Sequence, residues 1–130
     1  MADYTTKEIG DFGEKYCAKY IKKFKKMKII GKNVTIGKLE MDIIALDDDY
    51  IVFIEVKTRR QDKINYFRPA DAVDRNKRTN LINFAYAYCE SLPKKYRDRT
   101  PRIDVCEVFV VAENKLTVTE INYIEGAVSR

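Results

Sequence analysis

The sequence predicts one α/β domain, and three observations carry that expectation. Helical spacing of apolar residues runs from Ile9 to Met27, two apolar strand-like runs flank an acidic turn at Asp47-Asp48-Asp49, and a second helical pattern is followed by a further strand pair. At 130 residues the chain suits a single core. Its 45% hydrophobic content supplies that core and separates the 35% charged content from the low-apolar signature of disorder.

Thr5 and Glu8 have the spacing of a capping box, in which side chain and backbone at a helix start satisfy one another's hydrogen bonds. Ile9, Phe12, Tyr16, Tyr20, Ile21, Phe24 and Met27 then recur at helical intervals. Gly10 and Gly13 cost that helix about 1 kcal/mol each against alanine, which predicts close approach by a strand or loop. Lys28–Val34 reads as a first strand, and Leu39–Leu46 and Tyr50–Lys57 read as a hairpin. Residues 58–68 lack periodicity and carry Arg59, Arg60, Lys63, Tyr66, Phe67 and Arg68, the make-up of an exposed basic loop. Pro69 opens a second helix with Val73, Leu81, Phe84, Ala85, Tyr88 and Leu92 on its apolar face and Lys77 among them. Ile103–Val111 and Leu116–Ile121 form the last strand pair, ahead of a short tail.

Cys17, Cys89 and Cys106 are odd in number and lack CxxC spacing, so they read as buried small hydrophobes, not as disulfide or zinc frameworks. No histidine is present, which removes the commonest neutral-pH acid/base and leaves carboxylates, lysines and hard metals for any catalysis. A polar start and the lack of a long apolar run predict a cytoplasmic protein with no membrane association. The net charge of +5 favours polyanionic partners. Nine lysines against four carboxylates give residues 1–32 that whole surplus, with Lys22, Lys23, Lys25, Lys26 and Lys28 as one run. Such a run would bind phosphates in a salt-sensitive, sequence-independent way, or is simply a solvated helix back.

The chemistry-bearing residues sit on the hairpin. If Leu46 pairs with Ile51, then Asp42 lies opposite Glu55 and Glu40 opposite Lys57, and strand alternation sends all four side chains to one face. Opposed carboxylates repel unless a cation, a shared proton or a neighbouring lysine offsets them. Mg²⁺ or Mn²⁺, which takes one or two carboxylates plus waters and substrate phosphate, is one solution. An ordinary cross-strand ion pair of Lys57 with Glu40 or Asp42 is another.

Gly13-Glu14, Glu40-Met41-Asp42, Phe53-Ile54-Glu55-Val56-Lys57-Thr58-Arg59, Lys77 and Arg102-Ile103-Asp104-Val105, in this order, resemble the YraN-like family of PD-(D/E)xK nuclease-like proteins. Leu39 and Phe67 stand where that family usually has glycine. The resemblance implies a restriction-endonuclease-like core, a mixed β-sheet with an antiparallel start flanked by helices, related to archaeal Holliday-junction resolvases. It implies Asp42 and Glu55 as ligands of Mg²⁺ or Mn²⁺ together with the Val56 carbonyl, and Glu14 as a further ligand or outer acid. Lys57 would orient the attacking water and stabilise developing charge.

The expected function is metal-dependent phosphodiester hydrolysis in nucleic acid, DNA in the first instance, with branched or single-stranded forms among the candidate substrates and a homodimer left open. Lys22, Lys23, Lys25, Lys26, Arg59, Arg60 and Lys77 are the expected phosphate contacts, and Glu40 supports the acid pair. The alternatives are a catalytically silent nucleic-acid binding module of the same fold and a protein-interaction domain whose Glu55 and Lys57 only pair across strands. Arg102 and Asp104, two apart on one strand, are expected to form a structural pair.

Overall fold

The computed structural model describes residues 4–61 and 75–128. Lys63, Tyr66, Phe67, Arg68, Pro69 and Val73, and with them most of the expected basic loop and the start of the second helix, lie outside the described residues. The elements are α1 (Thr6–Phe24), β1 (Lys28–Ile36), β2 (Leu39–Asp47), β3 (Tyr50–Arg60), α2 (Arg75–Glu90), β4 (Thr100–Ala112) and β5 (Leu116–Val128), with a 3-10 turn at Lys94–Tyr96.

The five strands lie in the order β1-β2-β3-β4-β5. All neighbours are antiparallel except β3 and β4, which run parallel. A parallel pair needs a crossover, and α2 lies within it. Alternation along β3 explains the layers: Val52, Ile54 and Val56 pack with Ile9, Cys17, Ala18 and Ile21 of α1. Ile51 and Phe53 pack with Leu81, Phe84 and Ala85 of α2. The unbroken apolar run Ile51-Val52-Phe53-Ile54 is therefore a strand buried on both faces.

The capping box forms as expected, Thr5 Oγ1 accepting from Glu8 N at 3.0 Å and Thr5 N donating to Glu8 Oε1 at 2.9 Å. The helix stops at Phe24, short of Met27, because Lys26 takes a left-handed conformation (φ 57°) and Met27 N turns back to the Ile21 carbonyl at 3.1 Å. Gly13 meets the expectation of close approach, since a Cβ there would overlap the Thr58 side chain. Gly10 does not, having open space around it.

Three further expectations change. Thr58, Arg59 and Arg60 are not loop residues; they extend β3, pairing with Val108, Phe109 and Val110. The tail after Ile121 is strand as far as Val128, anchored where Tyr123 Oη donates to buried Asp104 at 2.6 Å. Cys17 and Cys106 are buried, but Cys89 is only half-buried.

Arg102 and Asp104 form the expected pair as part of a wider network. Arg102 donates to Asp104 through Nε (3.0 Å) and Nη2 (2.9 Å) and reaches Asp47 Oδ2 at 3.1 Å. Asp104 also accepts from Gly126 N at 2.8 Å. The network ties the β2–β3 turn to β4 and β5, and every Asp104 oxygen is satisfied, as a buried carboxylate requires.

Candidate functional site

The hairpin closes with Leu46 opposite Ile51, as the turn predicts. The ladder continues only to Ile43 and Ile54, so the expected pairs Asp42–Glu55 and Glu40–Lys57 are not formed. β2 leaves β3 at this point while β3 continues beside β4 to Arg60. On β1, Asn33, which lies between the partners of Ile43 and Met41, takes a left-handed conformation (φ 49°) that asparagine tolerates. Strict alternation is lost, since Met41 faces the α2 layer and Ile43 the α1 layer. The premise that Glu40 and Asp42 share a regular strand face therefore fails.

Asp42 nevertheless meets Glu55. At the fork the Val56 N–H has no β2 carbonyl opposite it, and Asp42 Oδ2 accepts it at 2.8 Å. Burial, then a hydrogen bond to the Glu55 carboxylate, pushes Asp42 up to about 8. Burial also works to raise Glu55, but the hydrogen bond from Asp42 and the Lys77 ammonium outweigh it and hold Glu55 below the usual carboxylate range. The Lys77 Nζ stands 2.6 Å from Glu55 Oε2. Repulsion between the acids is thus offset by a shared proton and a lysine, and that lysine comes from α2 instead of the hairpin. Lys57 sits half-buried two residues beyond Glu55 and adds to the field that lowers it.

Glu14 approaches from α1. Burial raises its pKa, and the charges of Asp11, Glu40 and Glu55 raise it further, which places it within electrostatic reach of the pair. Glu40 stays exposed on the rim. Among the described residues no three Asp, Glu, Cys or His side chains converge closely enough to hold a metal ion. The donor set of the pair itself fits Mg²⁺ or Mn²⁺: two hard carboxylates in contact, partly buried at a strand fork, suffice for ions that keep several waters.

The same face holds an acid that sequence reasoning passed over. Glu107 of β4 is the register neighbour of Lys57 and fully buried. Asn122 Nδ2 donates to its Oε1 at 2.8 Å, while its Oε2 has no hydrogen-bond partner among the described residues. A lone carboxylate inside the apolar run Val105-Cys106-Glu107-Val108-Phe109 was the available signal. Arg59 points to this face too, its pKa lowered by burial against the opposing charge of Glu107.

The lysine run is not gathered at the fork. Glu14 and Phe24 are ten residues apart on α1, about 15 Å along the axis. Lys22, Lys23, Lys26 and Lys28 are exposed, whereas Lys25 turns inward to Glu125 (3.3 Å) and the Tyr123 ring. Exposed Lys15 and Lys19, not singled out from the sequence, join Lys22 in a stripe from the fork towards that patch. Among the described residues no helix is long and apolar enough to cross a membrane.

Residues 13–108 match the family described as "Uncharacterised protein family UPF0102". The chain belongs to this family. It is 38% identical over 127 residues to the UPF0102 protein TTE1452 of Caldanaerobacter subterraneus, covering 98% of this chain and 99% of that protein. It is also 38% identical over 122 residues to the UPF0102 protein CD630_12710 of Clostridioides difficile, covering 93% and 96%. The UPF0102 match begins at Gly13 and so includes Glu14, Asp42, Glu55, Lys57, Lys77 and Glu107.

The shared proton gives the pair a pH signature. Asp42 binds its proton up to about pH 8 in the fold but only to about 3.8 when exposed. Stability of the metal-free protein is therefore greatest, for this group, below the lower value and falls as pH rises through the higher one. Asp42→Asn mimics the protonated acid and keeps an acceptor for Val56 N–H. Denaturant unfolding without metal from pH 5 to 9 should show wild-type stability declining towards pH 8 and the Asp42→Asn profile flattened. Parallel profiles would show that Asp42 does not hold the proton.

Proposed function

We propose that this chain is a Mg²⁺- or Mn²⁺-dependent phosphodiesterase with a restriction-endonuclease-like core, acting on DNA and in particular on branched or single-stranded forms. The observation that carries the reading is the proton-sharing Asp42–Glu55 pair at the fork between β2 and β3, with Lys57 beside it. Two buried acids that share a proton beside lysines at a sheet fork are an environment in which functional sites are found. The mixed sheet with a helix on each face and the order of Glu14, Asp42, Glu55 and Lys57 support the fold assignment by resemblance.

A divalent ion supplies activation of water and neutralisation of phosphate charge. Asp42, Glu55 and the Val56 carbonyl would hold it, with Glu14 as an outer acid. Lys57 orients the attacking water and stabilises charge developing on the phosphate oxygens. Water oxygen bonds to phosphorus, the bond to the leaving sugar oxygen breaks, one water proton is released and the leaving oxygen takes one up. Lys15, Lys19 and Lys22 lead the phosphate backbone from the fork to Lys23 and Lys26, and Arg59 and Arg60 at the end of β3 add positive charge.

The expected result is Mg²⁺- or Mn²⁺-dependent cleavage in an assay on branched, single-stranded and duplex DNA. Binding without cleavage of any substrate with either ion favours the silent binding module, for which Lys77 seated on Glu55 already speaks. Binding should also weaken with salt. Neutralising Lys22, Lys23 and Lys26 together should reduce the slope of log affinity against log salt by up to about 0.9 for each phosphate that the variant leaves unneutralised, and Lys25, held by Glu125, should add little. An unchanged slope moves the interface to another face.

A further inference from the structure

We infer that Lys77 is a built-in competitor for the metal position, and that nucleic acid promotes metal binding by drawing this lysine away from Glu55. The inference rests on the reading of Asp42 and Glu55 as the metal ligands and adds a role for a residue outside the hairpin.

The geometry is direct. Lys77 Nζ stands 2.6 Å from Glu55 Oε2, with the Glu55 side chain 7% exposed and the Lys77 side chain 38% exposed. A buried carboxylate needs a cation, and in this arrangement α2 provides it. The ammonium thus supplies the positive charge that a divalent ion would otherwise supply. Two cations on one small carboxylate repel, so metal entry must weaken or break the Lys77 contact.

Lys77 is placed to leave. It lies in the first turn of the described part of α2, between exposed Arg75 and Arg78, and its side chain is only half-buried. Its four-carbon stem allows the charge to swing while α2 stays anchored through Leu81, Phe84 and Ala85. A phosphate arriving at Arg75 and Arg78 offers the ammonium a second anion. Once the lysine moves to that phosphate, Glu55 faces the fork without a counter-ion and its affinity for a divalent ion rises. Coupling of this kind is reciprocal: bound metal must raise affinity for the phosphate backbone by the same factor. The device disfavours a loaded centre in the absence of substrate.

The test is Mn²⁺ binding by titration calorimetry on the full chain, which reads affinity whether or not any substrate is cleaved. Lys77→Met, which keeps the stem and removes the charge, should bind Mn²⁺ about tenfold more tightly than wild type. Lys77→Gln serves as a second variant should the methionine impair folding. Lys115→Met, in the exposed turn between β4 and β5, lowers net charge equally without touching Glu55 and should leave Mn²⁺ affinity near that of wild type. A short phosphorothioate single strand should tighten Mn²⁺ binding to wild type and leave Lys77→Met unaffected. Equal or weaker Mn²⁺ binding by both Lys77 variants overturns the inference while leaving the metal site standing, since Lys77 would then only support Glu55. An equal gain in Lys115→Met also overturns it, as a general charge effect. No Mn²⁺ binding by wild type or any variant overturns the metal reading itself, and the inference with it.

Discussion

Asp42→Ala, Glu55→Ala and Lys57→Ala are each expected to lower Mg²⁺-dependent DNA cleavage by at least about 10²–10³-fold, the loss typical when one charge-stabilising group is removed from a reacting centre. The routes differ. Without Asp42 or Glu55 the fork loses half of its hard donors, so metal affinity falls with the rate. Asp42→Ala also leaves Val56 N–H without its acceptor. Glu55→Ala leaves the Lys77 ammonium without the carboxylate 2.6 Å away. Lys57 has no such bond to Asp42, and its removal should spare metal affinity while slowing the step at saturating metal and DNA. Single-turnover cleavage across a Mn²⁺ series separates the cases: excess metal should partly recover the two acid variants and do nothing for Lys57→Ala. Recovery of Lys57→Ala by metal would remove lysine from the chemical step.

The largest stability effect is expected far from the fork. Asp104→Ala should destabilise the protein by about 3–5 kcal/mol, the range for removing one partner of a buried ion pair. Asp104 is wholly buried and receives the Arg102 guanidinium, Tyr123 Oη and Gly126 N. Its loss strands a guanidinium whose side chain is only 13% exposed, and Asp47 and Glu125 replace little of the missing charge. It also removes the side-chain ties from Tyr123 and Gly126 of β5 to β4, leaving the backbone ladder there unsupported by them. Urea unfolding provides the measurement. A midpoint near that of wild type would mean that the neighbouring acids suffice for Arg102. Mn²⁺ affinity per folded molecule should not change, because no partner of Asp104 lies at the fork.

The parts of the molecule legible in sequence were those set by local chemistry. The capping box, the hairpin register and the twofold burial of Ile51–Ile54 follow from spacing and turn residues, and the structure has them. The pairing of β3 with β4 was not legible, because a parallel neighbour is chosen by the α2 crossover and not by either strand. The candidate site was legible as a set of residues and illegible as an arrangement. Extending the register from Leu46–Ile51 brings Asp42 to Glu55, but the regular ladder ends one pair earlier, at Ile43 and Ile54, and leaves the Asp42 side chain on Val56 N–H where a backbone pair was expected. Lys77 carried a signal as a lysine among apolar helix positions, but its partner is 22 residues away in sequence and depends on how α2 packs. Glu107 carried a similar signal on β4, and only the placement of β4 beside β3 brings it next to Lys57.

The central claim is that Asp42 and Glu55 hold a divalent ion. Anomalous diffraction from crystals of the full chain grown with saturating Mn²⁺ tests it most directly, because Mn²⁺ is located without reference to any activity. The expected result is one strong peak at the fork between β2 and β3, within about 2.0–2.3 Å of an oxygen from each of Asp42 and Glu55, with Lys77 Nζ withdrawn from Glu55 Oε2. A map with Mn²⁺ only at other carboxylates, Lys77 still on Glu55 and no peak at the fork would contradict the account.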